Sequence, residues 1–214
     1  MSSTRAEIKR HTQTRVLDAA EQIFQEEGFA GASIRGIAKS AGVSAGTVIS
    51  VGDKNALLVR VFDRLIEAEH DRHAAGAIVE WETTRPGSAP RIESRFAGSS
   101  TCSGRLVALA SPFVAVFIRN DDLARVYASI LVSGGHSSSL FSELAARLTE
   151  EFRTAISVRG CTPRAEAAQK AGALYFAFLG LLFTASARRT ADPADLSADL
   201  HRAFAAICTC KEKE

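Results

Sequence analysis

The chain has 214 residues, of which 46% are hydrophobic, and 26 basic against 24 acidic side chains leave a formal net charge of +2. This composition excludes a disordered chain and a strongly basic coater of nucleic acid, and the length suits one compact unit or a small domain joined to a larger one. Only five prolines, and no repeat of solenoid length, point to helices throughout.

The opening MSSTRAEIKRHTQ has no apolar core to serve as a signal peptide, so a cytoplasmic chain is expected. It reads as a basic arm carrying Arg5, Lys9 and Arg10. A first helix follows, with Val16, Leu17, Ala20, Ile23 and Phe24 as an apolar stripe of helical period. Gly28 is its stop, and Phe29 is placed to fold back on Phe24 in the contact of a Schellman cap. Residues 33 to 51, SIRGIAKSAGVSAGTVISV, read as a helix-turn-helix. Ile34, Ile37, Ala38 and Ala41 share one face of a short helix, and Gly42 supplies a left-handed exit. Val43 turns back to the core, Ser44 caps a second helix, and Val48 and Val51 point inward. The small Ala38 lets two steeply crossed helices approach. Such a second helix lies in a major groove.

The stretches TRVLDAAEQIFQEEGFAGASIRGIA and SAGTVISVGDKNALLVRVF resemble the opening of the TetR family of transcriptional regulators, with the similarity running over residues 12 to 66. The resemblance implies an all-α protein. An N-terminal three-helix DNA-binding domain, residues 1–52, would precede a helical effector-binding and dimerisation domain, residues 53–214. Two departures stand out. Ile49 replaces the family's usual tyrosine, and Ser50, Val51 and Gly52 replace its bulky residues before a turn that is shorter than usual. The tyrosine commonly touches a phosphate, and that contact is not expected here.

Asp53 caps a fourth helix with Leu58, Val61, Phe62 and Leu65 on its apolar face. His70 and His73 are expected to face solvent late in it. Residues 76 to 104 are rich in turn formers and read as a long loop, with room for a short helix around Arg91 to Phe96. In LVALASPFVAVFIRN, Pro112 should kink the helix or restart it behind Ser111. DDLARVYASILVS ends at Gly134-Gly135, and a longer helix from about Ser138 to Ser157 turns Leu140, Leu144, Leu148, Phe152 and Ile156 inward. Thr162-Pro163 and Asp192-Pro193 open the last two helices. The run Ala173 to Phe183 is too short to span a bilayer and reads as a buried helix, so no membrane partner is expected.

Because that helix is nearly apolar all round, a second copy should cover it, through Leu174, Phe178, Leu181, Leu182 and Phe204. Gly172, Gly180 and the neighbouring alanines would allow close approach. The expected partners are double-stranded operator DNA, a small-molecule effector and a second copy of the chain. The DNA-facing candidates are Ser33, Arg35, Lys39, Ser44, Ala45, Gly46, Thr47, Ser50 and Lys54. Bases concentrate in the arm and on the first helix of the motif, while acids gather late in the first helix, which leaves one face positive. The recognition helix has no arginine, lysine, asparagine or glutamine for bidentate base contacts, so hydroxyls, thymine methyls and DNA shape should carry the reading.

Phe113, Phe117, Tyr127, Phe141 and Phe176 are the candidates to line a mostly apolar effector pocket. The function these features support is a ligand-responsive transcriptional regulator, a repressor released from its operator by a small apolar molecule. The alternatives are a helix-turn-helix architectural or interaction protein without ligand, and a helical enzyme. No phosphate loop, nucleophile elbow or zinc-type histidine pair is present, so no enzyme chemistry and no catalytic residue is expected. The four cysteines read as reduced thiols. Cys208 and Cys210 form a C-x-C pair with no further ligand near in sequence, so neither metal nor cofactor is expected.

Overall fold

The structure, a computed structural model, describes residues 4–82, 101–160, 162–187, 192–208 and 210, with the backbone alone for 73–82, 139–141 and 193. Among the described residues the elements are α1 (Arg5–Gly31), α2 (Ile34–Ala41), α3 (Ala45–Val51), α4 (Lys54–Glu82), α5 (Cys102–Arg119), α6 (Asp121–Val132), α7 (Ser139–Arg159), α8 (Arg164–Ala187) and α9 (Pro193–Cys208), with no strand. The chain is all-α.

Three departures from the sequence reading concern where helices start and stop. The basic arm is not an arm: Thr4 and Glu7 form a reciprocal capping box, and Arg5, Lys9 and Arg10 lie exposed on the first turns of α1. The box satisfies two backbone donors that an extended arm would leave to water. Residues 76–82 and 102–104, expected in the long loop, belong to α4 and α5, and 83–100 fall outside the described residues. The short helix expected at Arg91 to Phe96 falls outside the described residues. Pro112 neither ends nor restarts α5, which runs unbroken past it. The Ser111 hydroxyl donates to the Val107 carbonyl at 2.8 Å in the same turn.

Contacts group the chain into two compact units. The first holds the described residues up to Leu65 together with Asn120–Ser139; the second holds Ile66–Arg119 and the described residues from Leu140 onward. The first unit therefore extends beyond the division expected at 52/53. Leu57, Leu58, Val61 and Phe62 on the first half of α4 are fully buried. The α6 segment joins through polar chemistry that the sequence does not announce. Asp63 accepts a hydrogen bond from the Tyr127 hydroxyl at 2.8 Å and another from Ser138 Oγ at 2.9 Å. Tyr127 is fully buried and stacks on Phe62 with ring centroids 4.6 Å apart. It is a core residue of the head, not a pocket residue.

In the second unit, Leu144, Leu148, Phe152 and Ile156 of α7 point inward, as their spacing predicts. Both α5 and α8 pack against α9, and Phe152 meets Phe204 edge-on at 5.6 Å. His70 is buried and stacks on Phe113 at 6.0 Å, so it does not face solvent. By length and composition α5 and α8 are both apolar enough to cross a membrane, since α8 extends well beyond the run Ala173 to Phe183. Their inward residues, among them Leu106, Phe113 and Phe117 of α5 and Leu174, Phe178 and Leu182 of α8, belong to the core of a helical body.

The bond from Tyr127 to Asp63 is partly buried and charge-assisted, a class that contributes roughly 1.5–3 kcal/mol. Tyr127→Phe should lower the denaturant midpoint accordingly while preserving the helical signal in circular dichroism.

Candidate nucleic-acid interface and effector cleft

The helix-turn-helix rests on Ile37, Ala38, Ala41 and Val48, all buried against α1 and its stripe of Val16, Leu17, Ala20, Ile23 and Phe24. Gly28 has φ 70° and ψ 169°, a region essentially reserved for glycine, and Phe29 folds back on Phe24 at 5.7 Å. Gly42 is left-handed at φ 62° and ψ 40°. A side chain there would stand 2.9 Å from the Arg15 guanidinium, which donates to the carbonyls of Ala41 and Gly42. Val43, expected in the core, is only half-buried.

Each helix of the motif is closed at both ends. Ser33 Oγ accepts from the Gly36 amide and Ser44 Oγ from the Thr47 amide, both at 3.1 Å. At the far ends, Arg15 holds the last carbonyls of α2, and Arg60 Nη1 donates to the Val51 carbonyl of α3 at 2.9 Å. Arginines that sequence alone would count as free charge therefore clamp helix ends.

The outward face of the motif presents Ser33, Arg35, Lys39, Ser44, Gly46, Ile49 and Ser50 as exposed residues, with Ala45 and Thr47 half-buried. Arg35 and Lys39 make no ion pair among the described residues. The hydroxyls are partly committed: Ser44 Oγ lies 2.9 Å from Thr47 Oγ1, and Ser50 Oγ donates to the Thr47 carbonyl at 2.7 Å. Ile49, 62% exposed, is a large apolar side chain left facing outward on the recognition helix. At Gly46 a Cβ would approach nothing closer than Ser44 Oγ at 3.7 Å, so the fold itself does not require glycine there.

Lys54 differs from its expected role. Its ammonium donates to the Ala32 carbonyl at 2.9 Å and sits 4.4 Å from the centre of the Phe29 ring. It braces the start of α4 against the turn before α2 instead of standing free for a phosphate. Asp53 caps α4 as its position predicts, accepting from the Ala56 amide at 2.8 Å.

In the second unit a cleft lies among Phe113 and Phe117 of α5, Leu144 and Leu148 of α7, Phe178 and Leu182 of α8, and Ile66 of α4. Its empty space totals about 410 Å³, open solvent at its mouth included. Of the expected pocket residues, Phe113 and Phe117 line it. Tyr127 does not, Phe176 is 72% exposed on the outer face of α8, and the side chain of Phe141 falls outside the described residues. Phe178 and Leu182, expected at a dimer interface, instead line this cleft, and Leu174 and Phe204 are fully buried in the chain's own core. Leu181 is half-buried. Tyr175, which sequence reasoning missed, supplies the one polar group, a hydroxyl pushed up to about pKa 12 by desolvation. That hydroxyl makes no hydrogen bond with another described residue.

These roles separate two mutations that look alike on paper. Lys54→Ala should destabilise the head by about 1–2 kcal/mol, read as a lower melting temperature. Arg35→Ala should leave the melt unchanged and lower the salt slope of DNA binding by about one unit.

Comparison with known proteins accords with this geometry. Residues 16–60, from the middle of α1 into α4, match the profile of bacterial regulatory proteins of the tetR family. No curated protein matches the chain. Among solved structures, a transcriptional regulator of Rhodococcus sp. Rha1 shares the fold at a TM-score of 0.56 and 20% identity, over 92% of this chain and 96% of that one. A protein of Mesorhizobium loti MAFF303099, provisionally placed among TetR-family transcriptional regulators, gives 0.55 and 18% over 97% and 98%. A bacterial regulatory protein of the tetR family from Rhodococcus RHA1 gives 0.50 and 21% over 94% and 98%. The helix-turn-helix is thus matched by the tetR-family profile, and the all-helical fold is shared along nearly the whole chain with these solved structures.

Proposed function

We propose that the protein is a homodimeric repressor that leaves its operator when a small, neutral, mostly apolar molecule enters the cleft of the second unit. The observation that carries this reading is the cleft itself, lined by apolar side chains and by Tyr175, whose hydroxyl has no hydrogen-bond partner among the described residues. A phenol is protonated at neutral pH, so it can donate one hydrogen bond to an acceptor on the ligand. A charged ligand would find no counter-charge among the lining residues, and desolvating it would oppose binding. Ile66, which lines the cleft, follows Leu65 of the head unit on the same continuous helix α4. A ligand that prefers one position of α4 would bias the head between two states.

Sequence would be read by close approach at Ala45 and Gly46, by contact of Ile49 with thymine methyls, and by DNA shape. Arg35 and Lys39 would supply phosphate contacts. The test is a selection of bound sequences from random DNA, repeated with neutral apolar compounds. The wild type should yield a two-fold symmetric, thymine-containing site and release it in some compounds, whereas Leu148→Trp, which fills the cleft, should hold it. A guanine-dominated site, or release that persists in Leu148→Trp, would contradict the reading. Gly46→Ala should leave stability equal or up to about 1 kcal/mol higher, since alanine favours helix. Because a methyl would intrude on the DNA, it should weaken operator binding tenfold or more.

The second copy would dock on the outer stripe of α8 made by Ala173, Phe176, Gly180 and Thr184, all exposed in the single chain. A Cβ at Gly180 would meet nothing within 4 Å, so the chain's own packing does not require glycine there, while a close neighbour would. In light scattering, Phe176→Glu should be a folded monomer. Phe178→Glu, whose side chain faces the core, should unfold.

A further inference from the structure

We infer that Cys102, Cys208 and Cys210 form a binding site for a thiophilic divalent d10 cation of the zinc or cadmium class. Cys102 is the first residue of α5, Cys208 the last of α9, and Cys210 lies two positions beyond it. The fold brings these thiols together across more than a hundred residues of sequence. Cys102 Sγ and Cys208 Sγ are 3.9 Å apart, and all three sulfurs lie within 4.8 Å of one another. Thiolates held at about 2.3 Å from a zinc ion stand roughly 3.8–4.0 Å apart in tetrahedral or trigonal geometry. The Cys102–Cys208 spacing is therefore a coordinated one before any ion arrives, and Cys210 needs to move by less than about 1 Å.

The setting fits the chemistry. None of the three is in a disulfide, Cys102 and Cys208 are buried, and Cys210 is half-buried, which leaves an entry side. An all-sulfur donor set selects soft cations over calcium, magnesium or manganese. The two buried cysteines could also serve as small apolar filling. That role does not require three sulfurs to converge on one point from the ends of two helices. On binding, three S–H bonds break and three metal–sulfur bonds form. Three protons leave to solvent, and a divalent ion with three thiolates carries a net charge of −1. Water entering past Cys210 can take a fourth position. The ion would tie the start of α5 to the end of α9, the helix that both α5 and α8 pack on.

The test uses the reduced full-length chain in a Cys161→Ser background, so that only these three thiols remain. Titration with cadmium should give a thiolate-to-metal ultraviolet band saturating at one ion per chain, release of close to three protons, and a higher melting temperature. Cys102→Ser, Cys208→Ser and Cys210→Ser should each weaken binding at least a hundredfold and abolish the thermal shift. Cys210 lies outside the last helix, so its variant stays informative if either buried variant fails to fold. Absence of a saturable band, an unchanged band in Cys210→Ser, or two-thiol binding unaffected by Cys102→Ser would overturn the site. So would air oxidation to a Cys102–Cys208 disulfide without any metal uptake in the reduced protein.

Discussion

The turn at Gly42 is the constraint on which the geometry of the helix-turn-helix depends. A left-handed residue there reverses the chain between α2 and α3, and the Arg15 guanidinium occupies the space a side chain would need. By donating to the carbonyls of Ala41 and Gly42, Arg15 satisfies acceptors that the end of α2 exposes and ties the turn to α1. Arg60 does the same for α3 from α4. The recognition helix is short and would not hold its shape alone. Its orientation comes from these two guanidinium clamps, the serine caps and the burial of Val48.

A second theme is the division of labour among positive charges. Arg15, Lys54 and Arg60 each bond a backbone carbonyl, and Arg64 pairs with Asp18 at 2.7 Å. Arg35 and Lys39 remain on the outer face of α2, and Arg5, Lys9 and Arg10 on the opening turns of α1. The basic residues of the head therefore split into those that build the surface and those that present charge from it. Only the latter can contribute to release of counterions from DNA.

In the second unit the same reasoning separates two faces of α8. Leu174, Phe178 and Leu182 lie at steps of four and face inward, where Phe178 and Leu182 help form the cleft. Two positions away, Phe176 is largely exposed. A helix apolar on every side gives no hydrophobic periodicity to show which stripe faces its own core. That is why Leu174, Phe178 and Leu182, expected at a dimer interface, proved to be buried in the chain's own body, while Leu181 is half-buried.

Local rules settled much of this protein from the sequence alone. The all-helical class, the helix-turn-helix, the glycine exits at Gly28 and Gly42, the caps at Ser44, Asp53 and Asp192, and the inward stripe of α7 follow from short-range propensity and period. Those signals extend over one or two helical turns, and the residues carrying them are neighbours in the chain. Tertiary structure decided everything that joins distant residues. It placed Tyr127 and Ser138 on Asp63, Lys54 on Phe29, Tyr175 in the cleft and Cys102 beside Cys208. None of these partners lies within a helical turn of the other, so no spacing pattern could have revealed them. Their meeting depends on how the helices pack within each unit, which is fixed by the three-dimensional fit of side chains.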